Sequence, residues 1–191
     1  MATTTDRLHF TGNDEADRLL VEEPLALLIG FALDQQVPVP KAFSGPFELK
    51  RRLGQLDAAE IASMDPGKLE EVFRARPALH RFPSAMAKRT QELCAVVAEE
   101  YGGDAGRIWH EAADGADLRR RLDSLPGFGQ MKVQSLAAVL GKRLGVQPPG
   151  WELVAADHFC LGDIDSPEML AEYQSEKRAR KAAARAAAAD T

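Results

Sequence analysis

The sequence predicts an all-α protein built as a two-lobed helical bundle, and three observations support this fold class. Apolar residues recur at helical spacing, most clearly at Val133, Leu136 and Leu140. No segment alternates apolar and polar residues in the way a half-exposed strand does. Prolines, glycine pairs and capping residues mark where individual helices begin and end. We therefore expect helices throughout.

Six helices are predicted in the first half of the chain. The first begins after Thr11 or Asn13, whose side chains can cap its free amides. The apolar run PLALLIGFAL opens on Pro24 and is the candidate for a central buried helix. The segment KAFSGPFELKRRLG is predicted to form a short helix, a turn at 44–46 and a second helix. Two further short helices, capped by aspartates, are expected at 56–63 (Asp57) and 66–75 (Asp65).

The second half is predicted to continue in helices up to a biased C-terminal segment. A long helix follows Ser84 and is stopped by the glycine pair at 102–103. One or two helices lie within 104–122, and another begins at about Gln130. We divide the chain into a helical domain of two interleaved lobes and an Ala/Lys/Arg-rich helix or tail, at 1–165 and 166–191.

The composition is that of a globular protein without a membrane span. No run of about 18 apolar residues occurs, and the N-terminus shows no basic segment followed by an apolar one. Cys94 and Cys160 are far apart and are expected to be reduced, buried thiols. Zinc and iron–sulfur sites need about four ligands, so we predict neither a metal nor another cofactor. A cytoplasmic monomer is the expectation.

Charge is distributed unevenly along the chain. The net charge of −5 disfavours nucleic acid, because phosphate contacts need Lys and Arg. Acids dominate the first 36 residues, however, whereas 119–143 holds six basic residues against one acid. Such segregation can present one basic face to DNA. It is equally typical of an ordinary solvated helix face.

The most informative motif is LPGFG at 125–129, which lies between two helical patterns. Pro126 and Gly127 favour a tight turn, and glycine permits positive φ and close backbone approach. The next helix begins at about Gln130, so its free amides and those of the turn can point outward together. Such a corner binds phosphate through backbone donors and the helix dipole. The alternative is a corner without a ligand, since Pro-Gly pairs are common in turns.

These segments resemble the helix-hairpin-helix base-excision DNA glycosylases, the superfamily of endonuclease III and the alkyladenine glycosylases. LPGFGQMK is similar to their hairpin, LLIGFALDQQVPVPKAF to their early helix and its polar turn, and LHRFPSAMAKRTQELCAVV to a helix with a Lys-Ala-like start. The resemblance covers about residues 20–145 and implies repair of damaged double-stranded DNA in the nucleoid. It implies a base pocket at Gln35 and Gln36. The implied DNA-binding residues are Gly127, Phe128, Gly129, Gln130, Lys132 and Lys88.

Two positions depart from the pattern of this superfamily. In its bifunctional members, the second residue after the last hairpin glycine is a lysine that forms a Schiff base; here that residue is Met131. Lys132 follows it, rotated by about 100° around the helix, so strong lyase activity is not predicted. The aspartate of the superfamily would fall at Pro149, and the nearest carboxylate downstream is Asp157. The four-cysteine cluster of endonuclease III is absent from this sequence.

A glycosylase must stabilise an oxocarbenium-like sugar with a nearby carboxylate and must hold an extruded base. Asp157 is the first candidate for this carboxylate and Asp34 the second, although Asp157 beside His158 is also typical of a cap or surface pair. Gln35 and Gln36 follow a very apolar helix and can line a base pocket or cap neighbouring helices. Four aromatic residues can stack on a base or belong to the core: Phe43, Phe47, Phe82 and Trp151.

Three interpretations follow from these observations. The first is a monofunctional DNA glycosylase, and the second is a non-catalytic DNA lesion- or structure-binding protein that has kept the hairpin. The third is a helical interaction protein whose LPGFG is only a corner. A carboxylate facing a pocket below the hairpin separates the first two, and DNA binding separates the third. The C-terminal segment is either a frayed solvated helix, a disordered tail or a basic arm that adds non-specific DNA affinity (Lys177, Arg178, Arg180, Lys181, Arg185).

Overall fold

The structure is a computed structural model that describes residues 5–189. Within this range it contains ten α-helices, two short 3₁₀ turns and no β-strand, which confirms the all-α prediction. The helices are α1 (Asp14–Glu22), α2 (Pro24–Leu33), α3 (Val39–Leu53), α4 (Ala58–Ser63), α5 (Pro66–Arg74), α6 (Pro83–Tyr101), α7 (Arg107–His110), α8 (Gly115–Asp123), α9 (Gln130–Lys142) and α10 (Pro167–Ala189). The 3₁₀ turns are Trp151–Leu153 and Leu161–Asp163.

The helix α2 is the central buried helix, as its apolar sequence predicts. Nine of its ten residues are buried, and it packs against α1, α3 and α6. Its close approach to α3 requires the absence of a side chain at Gly30, where a Cβ atom would lie 2.5 Å from Cδ1 of Phe43. The C-terminal end of α2 is thereby held rigidly inside the core.

The predicted turn at 44–46 is wrong, because α3 continues through it as one helix. Pro46 lies inside α3, where proline removes a backbone hydrogen bond and costs about 3 kcal/mol. The buried side chains of Val39, Phe43 and Leu49 anchor the helix on both sides of Pro46. Burial of this apolar face offsets the local cost and keeps the helix continuous.

The predicted helix caps are confirmed. Oδ1 of Asn13 accepts a hydrogen bond from the Ala16 amide at 2.9 Å. Asp57 and Asp65 cap α4 and α5 through the amides three residues on, at 2.8 and 3.0 Å. The long helix α6 ends at Gly102, which takes the left-handed conformation with a φ of +62°. Local side-chain chemistry therefore sets these boundaries.

The last helix, α10, packs against the remainder of the protein only through its first turns. Leu170 is buried and Tyr173 is half-buried, whereas residues 175–188 are exposed. Cys94 and Cys160 are free and buried, as expected from their spacing. None of the helices within 5–189 combines the length and the apolar character needed to cross a lipid bilayer.

Candidate functional site

The corner between α8 and α9 lies at the surface. Leu125 and Phe128 are buried and anchor it, whereas Gly127 and Gly129 are exposed. Gly127 has a φ of +80°, which a residue with a side chain rarely adopts. The Phe128 amide donates to the Leu125 carbonyl at 3.1 Å, closing the turn. The LPGFG motif thus forms a tight, solvent-facing corner.

The start of α9 presents backbone amides that have no acceptor among the residues the structure describes. Gly129 is the N-cap residue and provides no capping side chain. The first bonded amide of the helix is that of Val133, which donates to the Gly129 carbonyl at 3.1 Å. The preceding amides of Gln130, Met131 and Lys132 are therefore free to bind an anion, favoured by the positive end of the helix dipole.

Arg89 of α6 connects this corner to the loop that follows α2. Its side chain lies over Gly127, where a Cβ atom would come within 2.6 Å of Cδ of Arg89. Its guanidinium donates a hydrogen bond to Oε1 of Gln35. The Gln35 side chain is consequently used to position Arg89.

His80 holds the same loop from inside the protein. It is 1% exposed, and its Nδ1 atom accepts from the Phe82 amide at 3.0 Å. With Nδ1 as an acceptor, Nε2 carries the proton and donates to the Gln35 carbonyl at 3.0 Å. Burial lowers the pKa of His80, which favours this neutral ring. The loop after α2 and the turn before α6 are thereby joined.

Gln36 projects from this loop into solvent. It has a φ of +58° and is the one non-glycine residue within 5–189 with a positive φ. A left-handed backbone at such a residue costs roughly 1–2 kcal/mol and persists where its surroundings impose it. Here the neighbouring residue Gln35 is held by Arg89 and His80, and these contacts fix the backbone of the loop at Gln36. Gln36 is therefore held at the surface by the contacts of its neighbour.

A pocket of about 450 Å³ opens between α2, α9 and α10. This volume falls in the usual range of small-ligand sites. Its apolar wall includes Phe159 and Tyr173, whose rings meet edge to face with centroids 5.8 Å apart. Burial raises the pKa of Tyr173 to about 12, so its hydroxyl stays protonated at neutral pH. The full lining comprises Phe31, Asp34, Met131, Lys132, Ser135, Ala156, His158, Phe159, Cys160, Tyr173, Lys177 and Arg180.

Lys132 extends from the first turn of α9 into this pocket. Its Nζ atom donates to the Ala32 carbonyl at 3.3 Å, near the C-terminal end of α2. Burial lowers the pKa of Lys132 to about 8, although the nearby Asp34 carboxylate acts in the opposite direction. A lowered pKa leaves more of this amine neutral near physiological pH than of an exposed lysine. A neutral amine in a pocket can act as a nucleophile or as a base.

Asp34 is the C-cap residue of α2 and the one carboxylate that lines this pocket in the described part of the chain. Its side chain is 14% exposed, and Oδ1 lies 3.7 Å from Nζ of Lys177. The negative charge is thus placed beside two amines, those of Lys132 and Lys177. Partial burial strengthens its interaction with any positive charge that develops nearby.

Asp157, the first carboxylate candidate from the sequence, lies outside the lining of the pocket. Its side chain is 101% exposed and pairs with Nδ1 of His158 at 3.3 Å. Water screens a fully exposed carboxylate, which can then contribute little to transition-state stabilisation. The order of the two candidates is therefore reversed, and Asp34 takes first place. Sequence spacing alone gave no measure of either side chain's exposure.

The other candidate residues are divided between surface and core. Lys88 is 79% exposed on the second turn of α6, with its Nζ atom 3.9 Å from Oε1 of Glu92. Among the aromatic candidates, Phe43 is buried, Trp151 packs against Gly141, and Phe82 is 40% exposed. The arginines of α8 are paired with acids of the same helix, so the solvated-face alternative fits them: Arg119 with Asp123, and Arg120 and Arg121 with Asp117.

Sequence reasoning missed the part that α10 has in the pocket. Tyr173, Lys177 and Arg180 line its outer side, although the segment reads as a frayed helix or tail. The available signal is the spacing of Leu170, Tyr173 and Lys177, which places all three on one helix face. One bulky residue per turn over two turns is enough to dock the start of a helix.

Neither a metal site nor a known relative identifies the pocket. Within residues 5–189, no group of three or more His, Cys, Asp or Glu side chains is arranged to hold a metal ion. No model of a protein family matches the chain, and neither curated proteins nor solved structures gave a significant match.

Proposed function

We propose that this protein is a base-excision DNA repair enzyme, a DNA glycosylase that releases a damaged base in the pocket between α2, α9 and α10. One observation carries the proposal. The half-buried Asp34 carboxylate and the low-pKa Lys132 amine line one pocket, and Lys132 lies in the first turn of the helix that follows the free-amide corner. The resemblance of LPGFGQMK to the glycosylase hairpin supports the same assignment.

In this proposal the corner binds a DNA phosphate and places the duplex over the pocket. The exposed glycines at 127 and 129 let the phosphate approach the backbone closely. The free amides of Gln130 and Met131 then donate to its oxygens. Contacts of this kind fix the register of DNA without reading its sequence. Gln36, exposed on its constrained loop, is suited to fill the gap that an extruded nucleotide leaves in the base stack.

Asp34 has the role of stabilising the sugar as the base departs. The C1′ atom gains positive charge while the N-glycosidic bond breaks, and a carboxylate next to it lowers the barrier. The apolar ring of Phe159 and the half-buried Tyr173 reduce access of water to this place. Asp34 can do this because the rigid end of α2 holds it, whereas a loop carboxylate would be less well oriented.

A lyase step is a second candidate activity, and the position of Lys132 favours it. Met131 occupies the position of the superfamily's lysine and is 79% exposed. Both Met131 and Lys132 line the pocket, so an amine is present there although it comes from the next residue. The neutral amine can attack C1′ of the sugar and form a C–N bond as the base leaves with the electrons of the glycosidic bond. One nitrogen proton is transferred to the departing base. The C1′–O4′ bond then breaks, the ring oxygen takes up the second nitrogen proton, and an imine between Lys132 and C1′ remains.

The experiment that tests the proposal is a panel of duplexes that carry uracil, alkylated purines, oxidised guanine or an abasic site. Base release and strand cleavage are measured for the wild type, Asp34→Asn and the matched control Asp157→Asn. We expect Asp34→Asn to slow base release by about 100-fold or more. The control removes an exposed carboxylate of the same type and should retain the wild-type rate.

Borohydride reduction distinguishes the amine-dependent route from simple hydrolysis. With an imine at Lys132, the wild type becomes covalently bound to cleaved DNA, and Lys132→Gln does not. Base release without a covalent adduct would leave a monofunctional glycosylase. Binding to duplex DNA without base release from any lesion would favour the non-catalytic binding protein. Absence of DNA binding at low salt would overturn the proposed function.

A further inference from the structure

The charges of α10 are segregated onto two faces of the helix. At about 100° per residue, its five basic side chains beyond Glu176 fall within an arc of roughly 160°. That arc also contains Leu170 and Tyr173, by which α10 packs on the protein. The acidic side chains of the helix, Glu168, Glu172 and Glu176, lie on the other side. The basic side chains therefore lie on the same face of α10 as the two residues by which the helix packs. Beyond Gln174 this face continues past the packed region and is exposed.

This basic face overhangs a groove that runs beside the pocket. The groove has a volume of about 400 Å³ and lies between α10 and the loop that carries Gln36. Lys177 belongs to both the groove and the pocket, whereas Arg178 and Lys181 line the groove alone. A ligand that enters the pocket from this side therefore passes along the basic face of α10.

Most of these cations are not neutralised by the protein itself. Lys177 lies 3.7 Å from Asp34, and Arg180 lies 4.0 Å from Glu176. No acid lies within ion-pair distance of Arg178, Lys181 or Arg185 in the part of the chain that the structure describes. A chain with a net charge of −5 thus concentrates unpaired positive charge on one helix face. Such a face complements a polyanion.

We propose that α10 is a DNA clamp, whose basic face binds the phosphate backbone of the duplex beside the nucleotide held in the pocket. This inference rests on the proposed function. A helix of 23 residues is about 34 Å long, close to one helical turn of B-DNA. A lipid surface fits less well, because the opposite face carries alanine and glutamate instead of bulky apolar residues.

The experiment compares two variants that each lose three positive charges. The clamp variant is Arg178→Gln, Lys181→Gln and Arg185→Gln, which leaves the lining of the pocket intact. The control variant is Arg18→Gln, Arg51→Gln and Lys68→Gln, on α1, α3 and α5. Glutamine keeps the helix propensity of arginine and lysine, and circular dichroism checks that both variants stay folded.

Affinity for an undamaged duplex of about two helical turns is measured against NaCl concentration. We expect the slope of log K against log [NaCl] to become shallower by about two to three in the clamp variant. The control should change it by less than about one. If the wild type binds DNA and the two variants show the same slope, α10 is not a clamp. The glycosylase proposal is then decided by the base-release assay alone. If the wild type does not bind duplex DNA at low salt, both proposals fail.

Discussion

His80 contributes to stability through both of its ring nitrogens, which join the loop after α2 to the turn before α6. Because burial lowers the pKa of His80 below its ordinary value of 6.5, the folded protein holds the ring neutral. Near pH 6.5 the unfolded chain binds a proton that the folded chain does not yet bind. The contribution of His80 is therefore complete above about pH 6.5 and is lost as the pH falls toward the lower folded pKa.

The variant His80→Gln tests this linkage. At pH 7.5 we expect its free energy of unfolding to be lower than that of the wild type by about 1–3 kcal/mol, because two buried hydrogen bonds are disturbed. Urea denaturation from pH 7.5 to 5 should show the difference between the two proteins shrinking as the pH falls. Parallel curves would mean that His80 binds its proton equally in the folded and unfolded states, which would contradict the lowered pKa. His158→Gln, at an exposed side chain, is the control for histidine replacement.

The chemistry of single residues could be predicted from the sequence, but their surroundings could not. Asp157 and Lys132 are identifiable as candidates by residue type and by distance from the LPGFG motif, and Asp34 by its position after the apolar helix. Which carboxylate faces the pocket depends on how α2, α9 and α10 meet, and nothing local encodes that meeting. For the same reason, the offset of one residue between Met131 and Lys132 does not keep the Lys132 amine out of the pocket, which both side chains line.

At the scale of elements, the contact between α2 and α3 depends on glycine at position 30. The Gly30→Ala variant should destabilise the protein by about 1–3 kcal/mol, because the added methyl group would displace the ring of Phe43. Thermal denaturation measures the effect. Gly129→Ala is the control, since its φ is −87° and no atom lies within 4 Å of the position of its Cβ. Equal melting temperatures for the two variants would contradict the close packing.

Helix boundaries were predictable where a side chain caps the helix, and unpredictable where tertiary packing overrides a local signal. Asn13, Asp57 and Asp65 act within three residues of their own position, so the sequence contains the whole cause. The Ser-Gly-Pro run of α3 is typical of a turn, but the buried residues before and after it keep the helix intact. The cause is the packing of α3 against α2, which lies earlier in the chain. A local sequence pattern around Pro46 cannot reveal that contact.

For the molecule as a whole, the core and the candidate site share the same helices. The most buried helix, α2, ends at Asp34, and α9, buried along one face, begins beside Lys132. Asp34 and Lys132, the two groups of the proposed chemistry, are therefore attached to packed helices, as precise chemistry requires. The third wall of the pocket comes from α10, which is anchored at one end only. The expected boundary at residue 166 separates α10 from the other helices. It does not show that α10 lines the pocket while being packed at one end only.

Hydrogen exchange measures this contrast directly. Beyond Lys177, α10 is exposed through residue 188, and an alanine-rich helix without tertiary contacts is marginally stable in water. We expect amides at 178–188 to exchange rapidly and those of α2 to exchange most slowly. Saturation with an undamaged duplex should slow exchange at 178–188 by about tenfold or more if the basic face binds phosphates. Strong protection in the free protein would contradict the exposed position of this segment, and an unchanged rate in the complex would contradict the clamp.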